Sequence, residues 1–178
     1  MGWSSGHSVI AVPVPELDDY VRGRTAHYDA SFLSPDPAFV HAHITLLGPW
    51  LAEPSRADLD AVARIMAATD PFETTLARVE TFPDGLIYLR PDPDEPFRAL
   101  TAALVEAFPH CPPYAGAFPD PVPHMTLDRR AEGITPESVE HDLRHLLPTR
   151  IVVDRVDLQW WANHHCHVRE SWKLGTSL

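Results

Sequence analysis

Two four-residue runs, His43-Ile44-Thr45-Leu46 and His124-Met125-Thr126-Leu127, share the order His, apolar, Thr, apolar. A period of two is the signature of a strand, in which side chains two apart lie about 6.6 Å from each other on the same face. Each run therefore carries an imidazole and a hydroxyl on one face and two apolar anchors on the other. Burying the apolar face fixes the register, because a slip of one residue would turn every side chain over. A fold for this chain must supply a core beneath both runs and leave both polar faces free. In a chain with 11 histidines a single His-x-Thr says little. The pattern given twice, at equivalent places, says more.

The surrounding elements repeat as well. Ser8–Val14 reads as a strand and Pro15-Glu16 opens a helix, with Leu17, Val21, Tyr28 and Phe32 at helical spacing toward a core. Ser34-Pro35-Asp36-Pro37 breaks that helix before the strand His41–Leu47, which Gly48-Pro49 stops. Ser55 followed by Asp58 is a capping box, opening a helix that buries Leu59, Val62 and Met66. Phe72–Phe82 and Leu86–Arg90 flank Pro83-Asp84-Gly85 as a hairpin. Phe97, Leu100, Leu104 and Phe108 mark a third helix, and His110–Pro123 is a proline-rich loop leading to the strand His124–Asp128. Thr135 as N-cap with Pro136 opens a fourth helix with Val139, Leu143 and Leu146 inward. Ile151–Trp161 and His167–Leu174 form a closing hairpin. Helix, His-bearing strand, helix, hairpin thus occurs twice, which predicts an α+β chain of two pseudo-equivalent lobes. No charge run or Gly/Ser linker divides it, so residues 1–178 read as one domain.

Composition narrows the partners. With 14 Lys+Arg against 25 Asp+Glu the net charge is −11, which opposes gripping long nucleic acid by its phosphates and leaves room for a local pocket. Apolar content of 44% suffices for a core, and 19 Pro with 8 Gly fall short of a low-complexity composition. No apolar run approaches the roughly 20 residues of a membrane span. Met1–Pro15 has no Lys or Arg ahead of Val9–Val14 and does not read as a signal peptide. Two cysteines, Cys111 and Cys166, form no CxxC and suit a reducing cytoplasm.

Two imidazoles and two hydroxyls around one cleft suit phosphoryl transfer at a ribose phosphate. One neutral imidazole takes a proton from the attacking water or hydroxyl, and a protonated one delivers a proton to the leaving oxygen. Thr45 and Thr126 can hold the non-bridging oxygens. Acid, base and oxyanion donors are then all side chains, and no metal or other cofactor is expected.

The two His-x-Thr motifs, with the runs His43–Pro49, Leu86–Pro91 and Pro123–Leu127 and the closing hairpin, resemble the 2H phosphoesterase superfamily. That superfamily includes bacterial 2′-5′ RNA ligase-like proteins and 2′,3′-cyclic nucleotide phosphodiesterases. The resemblance implies a bilobal α+β fold with a pseudo-two-fold axis, antiparallel sheets lining a central cleft and helices outside. It implies His43 as proton donor to the leaving oxygen, His124 as base, and Arg129, five residues after His124, as a phosphate contact.

Aromatic residues near the motifs are candidates for stacking on a nucleobase: Trp50 directly after the first, and Tyr114 and Phe118 before the second. Trp50 and Phe118 are the ones assigned to base stacking. His164-His165-Cys166-His167, with His41 and His43, offers a competing metal-dependent reading. Adjacent residues at a hairpin turn point apart, which disfavours one shared ion. The expectation is a monomeric cytoplasmic phosphoesterase opening a 2′,3′-cyclic phosphate of a nucleotide or RNA end. Its rivals are 2′-5′ RNA ligation, a metal-dependent hydrolase, and a nucleotide-binding module without turnover.

Overall fold

A computed structural model describes residues 6–118 and 120–175. The first five residues of the N-terminal stretch and Pro119 of the proline-rich loop lie outside the described residues. The strands are β1 (His7–Pro13), β2 (His43–Leu47), β3 (Phe72–Thr81), β4 (Leu86–Asp92), β5 (Met125–Arg129), β6 (Thr149–Val153), β7 (Arg155–Trp161) and β8 (His167–Lys173). The helices are α1 (Asp18–Asp29), α2 (Arg56–Ala67), α3 (Glu95–Ala107) and α4 (Pro136–Asp142). Local signals account for most of these limits. Ser55 and Asp58 exchange both capping-box bonds at the start of α2, and Thr135 with Ser138 does the same for α4. Gly85, at φ 96°, turns β3 into β4 in a backbone region that disfavours side chains.

The eight strands form one antiparallel sheet in the order β6-β3-β4-β5-β2-β1-β7-β8. Its two halves meet where β2 lies beside β5, so the two His-Thr strands are neighbours at the seam. The halves are not the two sequence units. The hairpin β3-β4, which follows the first motif, pairs with β5 of the second, and the hairpin β7-β8, which follows the second motif, pairs with β1 beside the first. Each unit thus lends its hairpin to the other half. Ile151–Trp161, read above as one strand, breaks at Asp154: β6 edges one half on β3 while β7 crosses to β1 in the other. An alternating run that spans two sheet positions looks continuous in sequence, because periodicity carries no information about partners.

The core lies between the sheet and three of the helices. Val62 and Met66 of α2, Phe97, Leu100 and Leu104 of α3, and Val139 of α4 are buried with Ile44, Leu46, Met125 and Leu127 from the seam. Helix α1 differs. None of its residues is fully buried, and Tyr28, expected in the core, is 55% exposed. Among the described residues no helix is long and apolar enough to cross a membrane.

Candidate active site

β2 and β5 touch through the pair Ile44–Met125, and both side chains are fully buried. In an antiparallel pair, the residue before one partner lies across from the residue after the other. His43 is therefore set opposite Thr126, and Thr45 opposite His124. Opposed residues have Cβ atoms about 4.5–5.5 Å apart and diagonal ones about 7–8 Å. Since Ile44 and Met125 take the core face, the two imidazoles and two hydroxyls share the other. Each histidine thus faces the threonine of the other motif.

The imidazoles are held alike. His43 Nδ1 bonds the carbonyl of His41 at 2.7 Å, and His124 Nδ1 bonds that of Val122 at 2.8 Å, in each case two residues upstream. A carbonyl can only accept, so Nδ1 carries the hydrogen in both rings and Nε2 is left for proton exchange. Burial pushes the pKa of His43 below the ordinary imidazole range, the His41 carbonyl opposes this, and the charge of His124 adds to it. Burial also lowers that of His124, against the pull of the Val122 carbonyl and the Asp84 carboxylate. Both rings therefore favour the neutral form in the free protein.

A cleft of about 820 Å³ opens over this face, lined by His43, Thr45, Thr126 and Arg129 among others. His124 is not among the residues that line it; Tyr114, which is, lies with its ring nearly parallel to that imidazole at 6.2 Å between centroids. Tyr114 donates its backbone N–H to the Gly48 carbonyl at 2.7 Å and packs edge-on against Phe118. It adopts φ 53°, a strained value for a side-chain-bearing residue, which these contacts sustain. At the other end Trp161 tilts against His43 at 5.4 Å. Arg129 lines the cleft and donates to the Asp84 carbonyl at 3.1 Å.

Two expectations need correction. Trp50 is only 5% exposed and packs edge-on against Phe108 in the core, so it has no face for a base. Phe118 is exposed and packs edge-on against Tyr114, and it does not line the cleft. Tyr114 beside His124 and Trp161 beside His43 line the cleft, as do Tyr28 and Phe32. Tyr114 stands among the stacking candidates of the sequence, although base stacking is assigned there to Trp50 and Phe118. Trp161 reads in the sequence as part of a hairpin strand, and only the tertiary structure packs its ring against Phe39, His41 and His43.

Sequence reasoning also missed Asp128. The fifth position of the first motif is Leu47 and that of the second is Asp128, a difference readable from the sequence. Asp128 is 5% exposed, accepts a hydrogen bond from the Tyr28 hydroxyl, and pairs with Arg24 Nε at 2.6 Å. Arg24, Tyr28 and Asp128 all line the cleft. A shift in the β4–β5 register skips Leu127, and such a bulge lets successive residues Asp128 and Arg129 both reach it. The His164–His167 run lies beyond the cleft, at the β7–β8 turn. Among the described residues no three His, Cys, Asp or Glu side chains are grouped as a metal-holding set.

A model of the 2′-5′ RNA ligase superfamily matches residues 13–165. The chain belongs to that superfamily. Membership indicates an enzyme of the phosphoesterase or ligase-like kind and agrees with the paired histidine motifs. Solved structures agree in fold. E. coli LigT complexed with 3′-AMP superposes with a TM-score of 0.59 at 19% identity, over 95% of this superfamily member and 98% of LigT. LigT complexed with NADP+ gives 0.57 at 19% identity, over 97% and 99%. TT0787 of Thermus thermophilus gives 0.57 at 18% identity, over 97% and 100%. No curated protein sequence matches this member of the superfamily.

Proposed function

We propose that the protein is a phosphoesterase that opens the 2′,3′-cyclic phosphate of a nucleotide or RNA end by two-histidine acid–base catalysis. The observation that carries this reading is the Ile44–Met125 bridge, which sets His43 across from Thr126 and His124 across from Thr45. A cyclic phosphate seated over the seam has a threonine hydroxyl and an imidazole at each end. His124 Nε2 takes a proton from water as its oxygen attacks phosphorus. The bond from phosphorus to one ribose oxygen breaks, and His43, entering as the imidazolium, gives that oxygen its proton. The substrate anion favours the charged form of His43 in the complex, against the burial that disfavours it in the free protein. Thr45, Thr126 and Arg129 hold the non-bridging oxygens as charge builds on them. These side chains supply acid, base and oxyanion contacts, so the reading requires no metal or cofactor. It takes the substrate as a small nucleotide or RNA end.

The same groups working in the same direction would join the cyclic phosphate to a ribose 5′-hydroxyl, if that hydroxyl in place of water gives its proton to His124 and attacks phosphorus while the 3′-oxygen leaves with the proton of His43, as 2′-5′ ligation requires. The aromatic rings at both ends of the site, Trp161 by His43 and Tyr114 by His124, favour keeping this second reading, since joining needs a nucleoside on each side of the phosphate. The deciding experiment is a product-resolved screen of 2′,3′-cyclic nucleotides and cyclic-phosphate-ended oligonucleotides in excess chelator. Release of one monophosphate isomer is expected. Activity lost in chelator and restored by zinc would overturn the metal-free mechanism, and binding without product would favour a binding module.

A further inference from the structure

Helix α1 is attached to the sheet in a way its sequence does not require. It buries no residue completely, and its tie to β5 is the buried Asp128 carboxylate, which engages both Arg24 and Tyr28. Tyr20 and Val21 pack α1 against the core, and beside that packing a buried charge orients a cation. Arg24 stands 27% exposed in the wall of the cleft, and its ring neighbour Tyr28 lies 5.4 Å below the guanidinium. Asp128 lies two residues along β5 from Thr126, so Arg24 is placed just beyond the oxyanion contacts rather than on them. Asp29, the carboxylate nearest in sequence in the same wall, is engaged by the backbone N–H and hydroxyl of Ser31. Arg24 and Arg129 face Asp29 and Asp128 in the lining of the cleft, so on a chain of net charge −11 the cleft is locally balanced.

We infer that Arg24, oriented by Asp128 and Tyr28, reads a second phosphate of the substrate beyond the one that reacts at the seam. The inference rests on the reading of the seam as a phosphate site. The ligand chemistry is a nucleotide with two phosphates on one chain. Its source is either the 5′-phosphate of a mononucleotide or the next phosphodiester of an RNA end. Guanidinium to phosphate is a charge-assisted, two-pronged contact, for which about a tenfold gain in affinity is a modest expectation.

Binding separates this from the catalytic reading. Titration calorimetry of the full-length protein would compare 3′-AMP, adenosine 3′,5′-bisphosphate and the dinucleotide ApAp. The wild type should bind one or both of the latter about tenfold tighter than 3′-AMP, with the difference shrinking as salt rises. A gain for the bisphosphate points to a 5′-phosphate, and a gain for ApAp alone points to the next phosphodiester. Arg24→Gln should reduce the ratio to about one, and Arg24→Lys should keep part of it. Equal affinities in the wild type would overturn the inference, as would Arg24→Gln weakening all three ligands by one common factor. Unfolding midpoints of both variants report whether Asp128, left without its partner, has loosened the fold. Should the ratio hold while no cyclic phosphate is turned over, the second-phosphate site stands and the phosphoesterase reading falls.

Discussion

Ile44 and Met125 pair across the middle of the sheet, and that bridge is where the two halves of the molecule join. It is also what brings four polar side chains, from positions far apart in the chain, onto one face. Ile44→Ala or Met125→Ala would leave a cavity under both histidines, and deletions of this kind cost about 2–5 kcal/mol. Thermal or denaturant unfolding of either variant should show that loss. Activity should fall further than the unfolded fraction accounts for, because the register of the site depends on the same contact. A variant with wild-type stability would contradict the burial seen here.

Removing either imidazole should abolish most turnover without unfolding the protein. For His43→Ala and His124→Ala a fall of at least about 10²-fold in kcat is expected, the usual worth of a positioned acid or base. The double variant should be little worse than either single one, since the pair acts as a unit. Steady-state kinetics alongside circular dichroism would test this, and full activity in both single variants would remove the site.

The rate should depend on pH as a bell placed on the acid side. Burial lowers both imidazoles, so in the free enzyme the base loses its proton, and the acid loses the one it must keep, below the ordinary value of about 6.5. Both limbs of kcat/KM should therefore lie below that value. The profile of kcat should move toward higher pH, because the bound anion raises the imidazoles. Matched profiles of the two parameters over pH 5–9 would show whether the shift occurs.

Stability should follow the same groups. A histidine whose pKa is lower folded than unfolded leaves the native state with fewer protons, so stability falls as pH drops through about 6.5 toward the folded values and is level above. The unfolding midpoint should decline over that window in the wild type. It should decline less in a His43→Gln, His124→Gln double variant, and equal slopes would show that other groups govern the acid limb.

Trp50 and Trp161 should part company. Trp50→Ala removes a core side chain and should cost about 3–5 kcal/mol of stability. Trp161→Ala removes a ring beside His43 in the cleft and should act chiefly through KM, by up to about tenfold if it stacks on a base. A KM effect from Trp50→Ala at unchanged stability would restore the discarded assignment.

Much was legible in the chain beforehand. The Ser55–Asp58 capping box, the Thr135 N-cap, the Pro83-Asp84-Gly85 turn and the apolar periods of α2 and α3 are local chemistry, and local chemistry is written in neighbouring residues. The two His-Thr runs belong with these, because period two alone assigns one face to the core and the other to the site. Long-range pairing was not legible. That each hairpin crosses to the other half, that Ile151–Trp161 divides at Asp154, and that each histidine faces the other motif's threonine depend on which strand lies beside which. The same holds for Trp50, which turned inward, and for Trp161, which came to the cleft. Helix α1 shows the limit most plainly. Its spacing suggested that Tyr28 packs in a core, yet a carboxylate one hundred positions later holds that residue at the cleft by its hydroxyl. Residue types and spacing determine which chemistry the chain can carry, and strand pairing decides which of those residues share a site, because partner choice depends on contacts between segments that periodicity cannot encode.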